Sequence, residues 1–212
     1  MSQGRWQVEA PPDPTAVGGA ALSAKGLRTR QRLIAAAEEV FAEYGWEEAS
    51  IVKITEEAGV SQGTFYRYFP SKQAIFDELV EDLNRRVRHA MSEGAARGTN
   101  RVEAERYGFE AFFRFTAEHP GLYRVIRQAE FASPRALHLH YERIAQGYVA
   151  ALEEAIESGE IVTADTEVLA YALMGIGELV GMRWILWGDD EVPGHVVDEM
   201  MKFITRGLGA KG

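Results

Sequence analysis

Residues 50–72, Ser-Ile-Val-Lys-Ile-Thr-Glu-Glu-Ala-Gly-Val-Ser-Gln-Gly-Thr-Phe-Tyr-Arg-Tyr-Phe-Pro-Ser-Lys, decide how this chain is read. Ile51, Ile54 and Ala58 recur at helical spacing up to a Gly-Val-Ser break. A second short helix carrying Phe65, Tyr68 and Phe69 follows, and Pro70 stops it. Gly59 stands where the first helix must end and the chain must turn, a place that calls for positive φ, and Ser61 is placed to accept from the free N–H groups of the next helix. The pattern is a helix-turn-helix. Phe65 and Phe69, four apart, point inward, which leaves Gln62, Gly63, Thr64, Tyr66 and Arg67 on the outer face and N-terminal end of the second helix. Gln and Arg pair bidentately with base edges, Thr bonds bases or phosphates, and a glycine admits close backbone approach, so this surface suits the major groove of DNA.

The run from Ala58 to Lys72 resembles the DNA-binding core of the tetracycline-repressor (TetR) family of bacterial transcriptional regulators. A generic helix-turn-helix does not require Gly-Thr-Phe-Tyr followed by Tyr-Phe-x-Ser-Lys, so the signature is specific, and it covers residues 25 to 75. Thr55 stands where that family usually has Ala, and Arg67 where His is common; the second departure bears on which bases are read. The resemblance implies a DNA-binding head, a helical body with a small-molecule cavity, and a homodimer joined by a four-helix bundle.

A chain of 212 residues, 46% hydrophobic, can bury one large core or two modest ones, and two small domains sharing a long helix would fit. With no cysteine, disulfides and thiol chemistry are excluded, and the chain reads as cytoplasmic. The net charge of -9 runs against phosphate binding, but it is unevenly spread. Residues 22–72 hold seven basic and seven acidic side chains, whereas residues 73–212 hold 15 and 23, so the acidity lies outside the proposed DNA face.

Residues 1–24 read as a disordered tail rather than a signal peptide, since prolines and glycine pairs break every period and no apolar core follows a basic start; Arg5 and Trp6 lie within it. A first helix is expected from Leu27 to Tyr44, with Leu33, Ala37, Val40, Phe41 and Tyr44 as its apolar stripe and Gly45 as its end. Ser71 opens a long helix in which Ile75, Leu79, Leu83, Val87 and Met91 repeat every fourth residue and which links head to body. Asn100 with Glu103 resembles a capping box for a helix running to His119. Further helices are expected from Leu122 to Phe131, from Pro134 to Ser158, from Thr166 to Trp187 with a stop at Gly188–Asp190, and from Val192 to Leu208. The run from Thr166 to Trp187 is apolar nearly all round, but Glu167, Glu178 and Arg183 interrupt it, which favours a helix buried on several sides over a membrane span. No strand-like alternation appears. The expected class is all-α: a tail at 1–24, a three-helix DNA-binding domain at 25–70, and a helical ligand-binding and dimerisation domain at 71–212.

The expected DNA contacts are Gln62, Gly63, Thr64, Tyr66 and Arg67, joined by Ser50 and Ser61, with Arg28, Thr29, Tyr68 and Lys72 on phosphates; Lys72 sits in the first turn of its helix, where the dipole also favours an anion. His138-x-His140 points to different sides of a helix, so no metal site is expected, and no cofactor. No cysteine or Gly-x-Ser-x-Gly nucleophile is present, so an enzyme is not expected. The body is dense in aromatics, among them Phe115, Phe131, Tyr141 and Trp187. The resemblance makes Phe109, Phe112, Phe113, Tyr123, Arg127, Tyr148, Met174, Gly177, Glu178 and Trp184 the expected lining for an apolar or aromatic effector, with Arg124, Glu130 and Arg183 nearby. The expected function is a DNA-binding regulator, a homodimeric repressor released from its operator by that effector. The alternative is a ligand-binding protein or enzyme whose helix-turn-helix is only structural.

Overall fold

The computed structural model describes residues 15–188 and 191–210, and among these all the regular structure is helical apart from one isolated bridge. They fall into two compact units: residues 15–83 with 121–140, and residues 84–120 with 141–210.

The first unit is built on α1 (Ala24–Glu48), which Ser23 starts by accepting the Gly26 N–H. Leu33, Ile34, Ala37, Val40 and Phe41 form its buried stripe. At Gly45 the backbone leaves the helix with φ 73°, a conformation costly for any side-chain-bearing residue. Helices α2 (Ile51–Glu57) and α3 (Gln62–Phe65) follow, separated by the turn at Gly59, φ 61°. Helix α4 (Lys72–Ala95) contributes Ile75, Phe76, Leu79, Val80 and Leu83 to the same core. An aromatic triad ties these elements together: Phe76 meets Phe41 edge-on at 4.9 Å and Trp46 at 5.1 Å, and Trp46 stacks on Phe41 at 5.8 Å. Burying one such ring is worth about 1.5–3 kcal/mol.

Helix α6 (Gly121–Ala132) also belongs to this unit. It lies along α1, buries Leu122, Val125, Ile126 and Ala129, and donates from the Gln128 amide to the Phe41 carbonyl at 3.0 Å. Gly121 permits the approach, since a Cβ there would stand 3.3 Å from the Glu38 side chain. The compact units therefore divide differently from the boundary expected at 70/71: the first continues along α4 to Leu83 and takes in residues 121–140. The fourfold repeat of α4 is unbroken at the point where its partners change, so spacing carried no sign of the division.

Two expectations are corrected here. Residues 15–23 are not a featureless tail: Thr15 bridges to Ala21, Ala16 N–H donates to Ala20 O at 2.9 Å, and Gly18 and Gly19 turn the chain with φ of 105° and 84°. Arg5 and Trp6 lie outside the described residues. Tyr44 is 40% exposed rather than core, and the Lys53 ammonium sits 4.0 Å from its ring centre.

The second unit holds the C-terminal half of α4, α5 (Arg101–Glu118), the C-terminal part of α7 (Pro134–Glu157), α8 (Thr166–Gly181) and α9 (Gly194–Gly207). Asn100 caps α5 through the Glu103 N–H, and the Glu103 carboxylate reaches back to the Thr99 N–H at 2.8 Å and its hydroxyl at 2.7 Å, bonds that hold this carboxyl below its usual range. Glu105 is buried beside Arg101, 2.9 Å away; desolvation outweighs that partner and pushes the Glu105 carboxyl up. Burial, then the Glu105 charge, drives the Tyr148 hydroxyl well above its ordinary value. Gly177 on α8 packs so closely on α5 that a Cβ would fall 2.8 Å from the Phe109 ring. After Gly181 the helix widens into a π-turn, Met182–Leu186, closed by the Trp187 N–H on Met182 O at 3.0 Å. The stop expected at Gly188–Asp190 falls partly outside the described residues.

Candidate nucleic-acid interface

The reading helix is a single turn, and two rings hold it. Phe65 and Phe69 are buried, 5.7 Å apart, while Arg30 lies over Phe69 at 5.0 Å and pairs with Glu78 of α4. Ser61 starts the helix, accepting the Thr64 N–H at 3.2 Å, and its hydroxyl also pairs with that of Thr64 at 3.0 Å. Gln62, Gly63, Tyr66 and Arg67 stand exposed as a set; Tyr66 is 49% accessible. Beside Gly63 only the Ser61 hydroxyl comes within 4 Å of an ideal Cβ, at 3.9 Å, so the backbone there is open to a close ligand. Thr55 is buried in α2 and its hydroxyl donates to Val52 O at 2.9 Å, which satisfies the one polar atom that Ala would lack.

The remaining expected contacts divide. Arg28 is exposed on α1, one turn from exposed Lys25, a basic edge whose second member spacing could have supplied. Ser50 caps α2 through the Lys53 N–H, and Thr29 bonds the Lys25 carbonyl of its own helix at 3.0 Å, so both hydroxyls carry structural bonds. Tyr68 is half-buried against the start of α1; a Cβ at Gly26 would lie 3.5 Å from its hydroxyl.

Lys72, expected on a phosphate, is turned inward. Its ammonium donates to the carbonyls of Trp46 at 2.7 Å and Ala49 at 3.0 Å and lies 4.3 Å from the Trp46 ring centre. It collects the carbonyls left open where α1 ends, a use its place at a helix start does not reveal. Lys53 is similarly engaged with Glu48 O at 2.9 Å.

In the second unit, Phe109, Phe112 and Phe113 form one cluster, with Phe109 and Phe113 stacked at 6.1 Å and Phe112 and Phe113 at 5.6 Å, and Gly177 closes on Phe109. Glu178 accepts the Tyr141 hydroxyl with both oxygens, at 3.0 and 3.1 Å, a partnership across α7 and α8. Tyr148 is buried, Met174 and Trp184 are half-buried, and Arg183 lies 5.3 Å over Trp184. Tyr123 and Arg127 sit on α6 in the first unit, Tyr123 buried and Arg127 exposed, with Arg124 and Glu130 also at its surface. Two aromatics expected in the dense body stand in solvent: Phe131 is 85% exposed and Trp187 61%. Among the described residues no three His, Cys, Asp or Glu side chains are grouped to hold a metal ion.

A helix-turn-helix whose reading face is open and whose back is locked into an aromatic core defines a DNA-binding regulator. Residues 33–79 match the model of bacterial regulatory proteins of the tetR family. The HTH-type transcriptional regulator YdgC of Bacillus subtilis is 28% identical over 201 residues, 90% of this chain and 98% of that one. The fold is shared with FadR from Bacillus subtilis, solved in complex with stearoyl-CoA (TM-score 0.73, 24% identity, 84% of this chain and 98% of that chain). It is shared equally with GusR of Salmonella enterica (TM-score 0.75, 24% identity, 89% and 99%). The chain thus resembles the tetR family of transcriptional regulators: its helix-turn-helix segment matches the family model, and nearly its whole length aligns with an HTH-type regulator.

The placement of Lys72 sets the outcome of removing it. Lys72→Met is expected to lower head stability by about 1.5–3 kcal/mol, the worth of hydrogen bonds from a charged donor, read as a drop in melting temperature, while the salt dependence of DNA binding keeps its slope.

Proposed function

We propose that this regulator is a homodimeric repressor that binds operator DNA through Gln62, Gly63, Thr64, Tyr66 and Arg67 and is released by an apolar or aromatic small molecule held in the second unit. The observation that carries the DNA reading is the set of exposed side chains on a helix immobilised by Phe65 and Phe69. Arg28 and Lys25 supply phosphate contacts beside it. DNA as the partner is the ground for a cytoplasmic, non-enzymatic reading of the protein.

The dimer reading rests on α8 and α9. Within Thr166–Leu186 an 18-residue apolar window averages a hydropathy of 1.4, yet only 33% of it is buried. Val168, Tyr171 and Leu179 fall on one face and are 64%, 46% and 61% exposed; Gly175 between them has nothing within 4 Å of an ideal Cβ, and Phe203 of α9 is 67% exposed. An apolar face with a glycine at its centre suits a second copy of the same helix, and dimeric helix-turn-helix proteins read two half-sites about 34 Å, one turn of DNA, apart.

The effector reading rests on the Phe109–Phe112–Phe113 cluster against Gly177 and on the acyl-CoA complex of the Bacillus subtilis relative of like fold. Helix α4 runs through both units, so a ligand that prefers one setting of it shifts DNA affinity by its differential binding energy alone.

Three measurements test this reading. Against a duplex selected from a random pool by the wild-type protein, Arg67→Ala should lose about 1–3 kcal/mol of discrimination over a mismatched duplex; a wild-type protein that selects no sequence returns the helix-turn-helix to a structural role. Sedimentation should find a dimer at micromolar concentration and a monomer for Leu179→Glu, which buries a charge within the face. In a screen of fatty acyl-CoA, fatty acids and aromatic compounds, at least one class should both raise the melting temperature and weaken operator binding; a flat screen leaves a regulator without an effector.

A further inference from the structure

The segment Thr15–Ser23 lies before the matched family residues and makes one long-range bond: the Val17 N–H donates to the Arg67 carbonyl at 2.9 Å. Arg67 is where the reading helix has already ended. The carbonyls of Gln62, Thr64 and Phe65 are taken by the N–H groups of Tyr66, Arg67, Tyr68 and Phe69, and the bond from Val17 supplies a donor to the Arg67 carbonyl, two residues further along. The donor is held in place from behind. Thr15 bridges to Ala21, Ala16 N–H bonds Ala20 O, and Gly19 N–H bonds Ala16 O, so the segment is a closed hook with Gly18 and Gly19 at its tip. Ser23 then caps α1, and the Leu22 side chain stands 3.4 Å from an ideal Cβ at Gly26, beside the Tyr68 hydroxyl.

The geometry points to the hook as a positioning element for operator recognition: by fixing the Arg67 carbonyl it sets the direction in which the Arg67 and Tyr66 side chains leave the reading helix. This inference rests on the DNA reading of that helix. A one-turn helix has almost no stiffness of its own, and its aim depends on what holds each end. Ser61 holds the N-terminal end and the two phenylalanines hold the back. The hook holds the C-terminal end, from which the one arginine of the reading face projects. From Thr15 to Ala24 it carries no charged side chain, so it neither repels the phosphates nor adds counterion release. Its surface is exposed, Val17 by 51%, so global stability depends little on it.

The test uses the full chain and the duplex that the wild-type protein selects from a random pool. Val17→Pro removes the N–H, Val17→Ala keeps it, and the pair Gly18→Val with Gly19→Val forbids the turn, since both positions require positive φ. One backbone hydrogen bond corresponds to about a three- to tenfold change in affinity. The proline and double-valine variants should lose that factor on the selected duplex, keep wild-type affinity for a scrambled duplex, keep the slope of affinity against salt, and melt within about 2 °C of wild type. Val17→Ala should match the wild type. Amide exchange at Tyr68 should quicken in the proline and double-valine variants only, and exchange at Val17 should quicken in the double-valine variant but not at the same position of Val17→Ala. Wild-type discrimination by both disrupted variants overturns the inference, and so does an equal loss on both duplexes, which marks a merely structural segment. If the wild-type protein selects no duplex, it is the reading helix itself that has been misassigned.

Discussion

Phe65 and Phe69 buried beneath a one-turn helix are the contact on which the rest of this structure depends. Four residues cannot hold a helix in water, where nucleation costs more than a single turn returns. The turn exists because its two rings enter a core made by α1, α2 and α4, and Arg30 closes that core by lying over Phe69 while pairing with Glu78. Every outward-facing side chain of α3 inherits its direction from this anchorage. Rigid presentation is also what a DNA reader needs, because base-edge recognition is lost when a donor strays by a fraction of an ångström.

The cations of the head show how little a charge count says about a nucleic-acid surface. Residues 22–72 carry seven basic side chains, and three of them, Arg30, Lys53 and Lys72, are spent on internal carbonyls, carboxylates and rings. Lys25, Arg28 and Arg67 remain exposed, and Arg32 makes only a long contact of 3.5 Å to Gly59 O.

In the second unit glycine decides which faces meet. Gly177 lets α8 close on the Phe109 ring, and Gly175, about half a turn away, faces open space on the side where Val168, Tyr171 and Leu179 are exposed. One helix thus carries a tightly packed face and an apolar face that is exposed among the described residues. The π-turn at Met182–Leu186 follows this glycine-bearing stretch, where the intrinsic preference for regular α-helix is weakest.

By itself the sequence determined the helices, their caps and the outward face of α3. Gly59 takes positive φ, Ser61 and Asn100 cap as their spacing requires, Gly159 ends α7, and the residues left outward on α3 are those left over once Phe65 and Phe69 turn in. These are local matters, settled within three or four residues by steric limits and hydrogen-bond reach. Only the tertiary structure decided which side chains were free to act. Lys72 looked like a phosphate ligand because the two carbonyls it serves lie 23 and 26 residues away in the chain, and nothing near Lys72 announces them. The same holds for Val17 and Arg67, for α6 lying along α1, and for the exposure of Phe131 and Trp187. A side chain's period says that it belongs to a face, but which element covers that face, if any, is fixed by contacts between residues far apart in the chain.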